Sequence, residues 1–229
     1  MTTASAPERP ATSGRRPQSG PPPLVPALSF TALTIAYVVA NRATPRPDAA
    51  GAEVLRYAQE HGTAINAGSW LLMGSAIPLA LLAAVLYRRL RALGITAPGS
   101  AITLAGGLLA SVALVLSAMF LWTGGRLPAD ASPALARALA DLAFLAGGPF
   151  YGAGFALLVA GLAVTGLLAR LLPRPLTWIG LVLAVAGMVS TLTLVADAFM
   201  PLLPLIRFGG LIWLVAVVAL LPRTRHKRV

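Results

Sequence analysis

The sequence predicts an all-α integral membrane protein with six transmembrane helices and two short outer amphipathic helices. The 229 residues are 57% hydrophobic and only 11% charged, and the mean hydropathy is +0.80. A soluble domain has about a quarter of its residues charged. Apolar runs of about 20 residues recur along the chain, and this is the length that a helix needs to cross the hydrocarbon core. The basic residues cluster at the ends of these runs, a pattern that is typical of membrane topology.

Six apolar segments are predicted to cross the membrane. Residues 1–23 hold six prolines among Ser, Thr and Arg, and this composition predicts a disordered cytoplasmic tail. Residues 223–229 are predicted to form a basic cytoplasmic tail. The transmembrane domain between them, residues 24–222, has predicted spans at about 24–40, 68–87, 100–122, 146–169, 176–199 and 205–221. In the alternative interpretation, the first span is a signal peptide cleaved after Val38-Val39-Ala40, which leaves the other spans unchanged.

Two outer amphipathic helices are predicted between the spans. In the loop of residues 41–66, a narrow apolar stripe surrounded by charge predicts a helix lying on the membrane. Its apolar residues are Val54, Leu55 and Ala58. The second helix begins at Ser132-Pro133, with Ser as the N-cap and Pro at the first helical position. It carries an apolar stripe (Leu135, Leu139, Leu142), pairs Arg137 with Asp141 at i,i+4, and is predicted to bend at Gly147-Gly148-Pro149.

The distribution of charge orients these spans. With the N-terminus in the cytoplasm, the whole net charge of +11 falls on the cytoplasmic side, and the outer side is neutral. This asymmetry is the one that the positive-inside rule describes. We therefore expect a multi-pass protein of the plasma membrane with both termini cytoplasmic.

Composition excludes several classes of function. The chain has no cysteine, so thiolate chemistry and thiolate metal sites are excluded. Its two histidines, His61 and His226, fall outside the apolar spans, so no pair of haem ligands is available on facing helices. A nucleic-acid-binding face needs basic residues clustered on a soluble fold, and here they lie at span ends. No His or Lys is placed to activate a serine. We expect no cofactor, no metal, no nucleic acid and no catalytic residue.

The charged pair that the sequence singles out is Asp197 and Arg207, one on each arm of the last hairpin. Residues 208–221 rise only about 21 Å as a helix, so the sixth span must take Arg207 into the membrane. The two residues are predicted to form an ion pair just beneath the outer surface, either as a structural clasp or as a functional site. Asp141 and Arg137 lie on the same side and would extend this pair into an outer polar cluster.

Small residues predict close helix packing. Gly148 and Gly152 have the small-xxx-small spacing that lets helices approach. A broken helix whose N-terminus faces a ligand is the alternative interpretation of this segment. Five hydroxyl residues within the spans are predicted to form hydrogen bonds between helices: Ser111, Ser117, Ser190, Thr191 and Thr193.

Two stretches resemble a known group of proteins. They are Gly51-Ala-Glu-Val-Leu-Arg-Tyr-Ala-Gln-Glu-His, which a Trp-bearing span follows, and Leu172-Pro-Arg-Pro-Leu-Thr-Trp-Ile-Gly-Leu-Val-Leu. Residues 24–222 resemble the small uncharacterised multi-pass membrane proteins of high-GC Gram-positive bacteria, which are classed as a domain of unknown function. This resemblance implies a bacterial plasma membrane and no particular activity.

Two hypotheses of function remain from the sequence. The first is a non-enzymatic membrane component that packs in the lipid bilayer with itself or with a membrane protein partner. The alternative is a small transporter or permease-like subunit with an outward polar vestibule around Asp197 and Arg207.

Overall fold

The computed structural model describes residues 22–222, and all the regular structure in that range is helical. Within residues 22–222, five helical segments are long and apolar enough to cross a membrane, and a shorter apolar helix precedes them. The predicted class, an all-α membrane protein, is confirmed. Residues 1–21, which make up nearly all of the predicted N-terminal tail, and the basic tail 223–229 lie outside the described residues.

The first half of the chain forms four helices, α1 Leu24–Ala40, α2 Gly51–Glu60, α3 Gly62–Ala92 and α4 Gly99–Gly124. Helix α3 has 31 residues and therefore rises about 46 Å, whereas a hydrocarbon core is about 30 Å thick. The predicted span 68–87 is only its middle. Its polar N-terminal turns continue to His61, the single residue that separates α3 from α2.

The second outer helix and the fourth span are one continuous helical segment. Helix α5, Pro133–Leu145, passes through a π-helical turn, Ala146–Phe150, into α6, Tyr151–Leu168. The predicted N-cap is confirmed, because the Leu135 amide donates to Ser132 Oγ at 3.2 Å. The π-helical turn lies where the bend was predicted, at Gly147-Gly148-Pro149. A wider turn accommodates Pro149, which lacks an amide hydrogen, without ending the helix.

Helix α7, Arg174–Val189, ends ten residues before the predicted end of its span at 199. It tightens into a 3₁₀ turn, Ser190–Leu194. The hydroxyls of three residues here donate to carbonyls three residues earlier, at 2.7 to 2.9 Å, and such local bonds compete with regular α-helix. These residues are Ser190, Thr191 and Thr193. A second 3₁₀ turn, Asp197–Phe199, follows.

The last helical segment begins earlier than predicted. A short helix α8, Leu202–Pro204, leads into a second π-helical turn, Leu205–Gly209, and then into α9, Gly210–Leu220. Arg207 therefore lies inside a helix, on a turn wider than a regular α-helical one.

The six apolar helices form a bundle in which each packs on two neighbours. Around the bundle the order is α1, α3, α4, α6, α7 and α9, and α9 closes the bundle against α1. The segment containing α6 is the most enclosed, with 67% of its apolar window buried against 39–44% for the other four. In the centre, the Phe155 ring of α6 lies 6.3 Å from the Phe30 ring of α1.

Helices α4 and α6 cross closely because small residues line both faces. A Cβ atom on Gly154 would lie 2.6 Å from the Ala110 amide nitrogen, and one on Gly161 would lie 2.7 Å from the Thr103 amide nitrogen. Both distances are shorter than any normal carbon contact. Only glycine fits at this crossing, which is the packing that small-residue spacing produces in membranes.

Candidate functional site

A cavity of about 420 Å³ lies where α1, α2, α4, α5, α6 and the second π-helical turn meet. We call it the outer cavity, because the residues around it fall on the predicted outer side. Its volume is within the range of small-molecule sites. Most of its walls are apolar, and a few polar groups converge on it. Those polar groups are Tyr37, Asn41, Thr44, Arg46, Tyr57, Ser117, Arg137, Asp141, Tyr151 and Arg207.

Arg137 and Asp141 form an ion pair on the wall that α5 contributes. Arg137 Nε lies 3.0 and 3.1 Å from the two carboxylate oxygens of Asp141, as the i,i+4 spacing predicted. The same guanidinium also donates to the backbone carbonyls of Pro47 and Ala49. Asp141 neutralises its charge, and its bonds to the two carbonyls anchor the loop that precedes α2.

Arg207 reaches the outer cavity from the second π-helical turn. Its Nη2 donates to the carbonyl of Gly147, in the first π-helical turn. Its guanidinium carbon lies 5.1 Å from the centre of the Tyr151 ring, within the distance of a cation–π contact. A Cβ atom on Gly147 would lie 2.5 Å from Ser117 Oγ and 3.9 Å from Arg207 Nη2. Glycine at 147 therefore leaves room for the Ser117 hydroxyl, whereas the distance to Arg207 is an ordinary contact.

The predicted Asp197–Arg207 ion pair is wrong. Among residues 22–222, the single ion pair within 4.0 Å is Arg137–Asp141. Asp197 is exposed on the 3₁₀ turn after α7 and does not line the outer cavity. The cause is the early end of α7, which moves Asp197 out of the helix and into the connection. The predicted outer polar cluster is correspondingly corrected: Arg137 and Asp141 share the cavity with Arg207 but not with Asp197.

The predicted packing residues Gly148 and Gly152 differ in role. A Cβ atom on Gly152 would lie 2.8 Å from Ser190 Oγ, so Gly152 does allow α7 to approach. A Cβ atom on Gly148 would meet its nearest neighbours, on Leu203 and Phe144, at ordinary distances of 3.5 and 3.6 Å. Gly148 lines the outer cavity and no close helix contact requires it.

The predicted interhelical hydroxyl bonds are mostly local. Ser117 Oγ donates to the Ala143 carbonyl at 2.8 Å and so joins α4 to α5 at the cavity wall, as predicted. Ser111 donates to Gly107 four residues earlier in its own helix. Ser190, Thr191 and Thr193 also bond within their own segment. A helical serine or threonine always has such a carbonyl within reach, and hydropathy alone does not separate the two cases.

Sequence reasoning missed the aromatic side of the site. Tyr37, Tyr57 and Tyr151 come from three helices and line one cavity. Tyr151 is only 2% exposed, and its hydroxyl has no hydrogen-bond partner. A buried tyrosine hydroxyl usually finds a partner. The signal in the sequence was a tyrosine directly after the Gly-Gly-Pro-Phe segment of a strongly apolar span.

Comparisons of the chain with family models, with curated proteins and with solved structures gave no match. The resemblance drawn from residues 51–61 and 172–183 stays a prediction. Function must therefore be argued from the outer cavity itself.

Proposed function

We propose that this membrane protein binds a small molecule in the outer cavity, as a non-enzymatic binding or permease-like subunit. The observation that carries the proposal is the position of Arg207. Its guanidinium lines a cavity of about 420 Å³ with no carboxylate within 4.0 Å of it among residues 22–222. A charged group in an apolar site is costly unless it is paired or hydrated. Such a group in a cavity of ligand size is the usual mark of a binding site.

The lining favours binding over catalysis. No histidine lines the outer cavity in the described part of the chain. The Ser117 hydroxyl is engaged with the Ala143 carbonyl, and the Asp141 carboxylate is engaged with Arg137. A nucleophile needs an adjacent base, and these contacts provide none.

The second candidate, a component that packs with itself or a membrane partner, has less support. It was suggested by small residues on the apolar helices. Gly154 and Gly161 meet α4 within the same chain, and Gly152 meets α7. The small-residue faces named here are filled internally, so they give no reason for an interface with another copy.

We further propose that the chain crosses a bacterial plasma membrane six times with both termini in the cytoplasm. Polar contacts at the two ends of the bundle support this topology. At the predicted inner end, Arg89 of α3 donates to the carbonyls of Leu221 and Pro222, at 3.0 and 3.1 Å. At the predicted outer end, Arg137 holds the loop before α2. These contacts tie both ends of the bundle, and the orientation is supported by the charge pattern, which puts the whole net charge of +11 on the predicted cytoplasmic side.

The binding proposal is tested by filling the outer cavity. Ala140 lines it, whereas Ala138, on the same helix, is exposed and does not line it. We expect wild-type protein, extracted in a mild detergent, to carry a small molecule that native mass spectrometry detects. Ala140→Trp should lose that adduct, and Ala138→Trp should keep it. Equal amounts of adduct in both variants, or no adduct in the wild type, would contradict the proposal.

The topology is tested by labelling single cysteines, since the chain has none of its own. Ala129 lies in the predicted outer connection and Thr96 in the predicted inner one, and both are exposed. With a membrane-impermeant maleimide on right-side-out vesicles, Ala129→Cys should be labelled. Thr96→Cys should be labelled only after the vesicles are opened. The reverse result would invert the proposed orientation.

A further inference from the structure

We propose that the ligand of the outer cavity is an amphipathic anion, a phosphate or carboxylate head group joined to a hydrocarbon chain. This inference rests on the proposed function and adds the chemical class of the ligand. Three features of the cavity carry it: its excess positive charge, an unpartnered buried hydroxyl beside Arg207, and its apolar walls.

The charge on the cavity wall is unbalanced. Its charged lining residues are three arginines, Arg46, Arg137 and Arg207, and one acid, Asp141. Asp141 is paired with Arg137, so no acidic residue of the lining is left to balance Arg46 and Arg207. Arg207 uses one of its five donors on the Gly147 carbonyl. A planar guanidinium with free donors fits the oxygens of a phosphate or carboxylate in a bidentate manner.

Tyr151 supplies a second donor at the same place. Its side chain is 2% exposed and lines the cavity, and its hydroxyl has no partner. The ring lies against the guanidinium of Arg207, so the hydroxyl and the guanidinium belong to one small region of the wall. A buried hydroxyl without a hydrogen bond is unfavourable. An anionic oxygen that binds Arg207 and also accepts from this hydroxyl would complete its missing hydrogen bond.

The rest of the lining suits a hydrocarbon chain. Phe120, Phe144, Leu203 and Phe208 line the cavity from α4, α5 and the last helical segment. Phe208, the neighbour of Arg207, is 40% exposed, whereas Thr44 and Arg46 are exposed on the loop before α2. The cavity thus has an apolar margin beside Phe208 and a polar margin at the loop. A ligand with a charged head and an apolar tail matches both.

The test compares three probes that separate head from chain. Purified protein in a neutral detergent is titrated with dodecyl phosphate, with dodecanol and with inorganic phosphate, and affinity is measured by microscale thermophoresis. The variants are Arg207→Gln and Tyr151→Phe. The matched control is Arg126→Gln, since Arg126 stacks on Trp122 at 4.6 Å and does not line the cavity.

We expect dodecyl phosphate to bind wild-type protein at least tenfold more tightly than either dodecanol or inorganic phosphate. Arg207→Gln should weaken dodecyl phosphate about tenfold or more, as the loss of a charge-assisted hydrogen bond implies. Tyr151→Phe should weaken it several-fold, and Arg126→Gln should leave it unchanged. Because Arg126→Gln removes the same charge, this contrast excludes a general attraction between the anionic probe and a basic protein.

Three outcomes would overturn the inference. They are equal affinity for dodecanol and dodecyl phosphate, equal losses in Arg207→Gln and Arg126→Gln, and no binding of dodecyl phosphate to wild-type protein. If an adduct is nevertheless lost in Ala140→Trp and kept in Ala138→Trp, the proposed binding function stands and only the class of ligand is wrong.

A final comparison in the same experiment shows whether the ligand is a membrane lipid or a free amphiphile. Protein in nanodiscs of phosphatidylcholine is compared with protein in nanodiscs that also contain phosphatidylglycerol. Competition of phosphatidylglycerol with dodecyl phosphate identifies a membrane lipid as the source. Its absence, with dodecyl phosphate still bound, identifies a free amphiphile, and either result supports an amphipathic anion.

Discussion

Arg207 and Gly147 join the two π-helical turns of residues 22–222 through a hydrogen bond from the guanidinium to the backbone carbonyl. π-Helical turns are rare, and they are frequent at functional sites. In this chain the two turns lie in different helical segments, Ala146–Phe150 and Leu205–Gly209, and both border the outer cavity. The wider turn at 205–209 carries the arginine, and the wider turn at 146–150 supplies the carbonyl that accepts its hydrogen bond.

The first prediction concerns the coupling between Asp197 and Arg207. Because no ion pair joins them, the effects of Asp197→Asn and Arg207→Gln on thermal stability should add. The double variant should differ from the sum of the single variants by no more than about 0.5 kcal/mol. Asp197→Asn alone should be nearly neutral, since Asp197 is exposed. The measurement is a thermal unfolding cycle in detergent. Recovery of stability in the double variant would show that the two residues do interact as a structural clasp.

The second prediction separates two buried serines of α4. Ser117 donates to the Ala143 carbonyl of α5, whereas Ser111 donates within its own helix. Ser117→Ala should destabilise the protein by roughly 0.5–1.5 kcal/mol, the range of interhelical hydrogen bonds in membranes. Ser111→Ala should cost clearly less, because the Gly107 carbonyl keeps its helical amide donor. Equal losses in thermal unfolding would show that the α4–α5 bond contributes nothing specific.

The class of the fold could be predicted from hydropathy and charge, because the lipid bilayer constrains both patterns along the whole chain. An apolar run must be helical to satisfy its backbone in lipid, and the cap at Ser132 is local chemistry. The site was less predictable. The end of α7 depends on whether three hydroxyls bond locally, and that end decides where Asp197 lies. Sequence also does not reveal that a Gly-Gly-Pro segment forms a π-helical turn and that an arginine 60 residues later donates to it.

The third prediction tests the crossing of α4 and α6. Gly154→Ala should lower the unfolding temperature, because its Cβ would lie 2.6 Å from the Ala110 amide nitrogen. Overpacking of this kind costs about 1–3 kcal/mol. Gly74→Ala is the control in α3, where the nearest atom to the added Cβ is 3.9 Å away. It should leave stability unchanged or raise it, since Ala favours helix over Gly by about 1 kcal/mol. Unchanged stability in Gly154→Ala would mean that the crossing tolerates a side chain, and an equal fall in both variants would mean that the loss is not specific to the crossing.

The fourth prediction concerns the loop that Arg137 holds over the outer cavity. Arg137 donates to the carbonyls of Pro47 and Ala49, while the Ala49 amide donates to the Arg46 carbonyl at 3.0 Å. Arg137→Gln should release this turn and speed hydrogen exchange at Ala49 about tenfold or more, since a charged hydrogen bond contributes about 1.5–3 kcal/mol. Exchange is read by mass spectrometry of the peptide that covers residues 44–50.

Two matched variants serve as controls for the hydrogen-exchange measurement. Arg126→Gln removes one charge from the same predicted side. Arg126 lies over the Trp122 ring and, in the described part of the chain, forms no ion pair or hydrogen bond with the loop before α2, so exchange at Ala49 should stay at the wild-type rate. Asp141→Asn removes the ion pair and leaves the guanidinium on the two carbonyls, so its effect should be smaller than that of Arg137→Gln. If Asp141→Asn equals Arg137→Gln, the carboxylate orients the arginine and the loop depends on the pair. If neither variant changes the exchange rate, the loop is held by its own turn and Arg137 does not close the cavity.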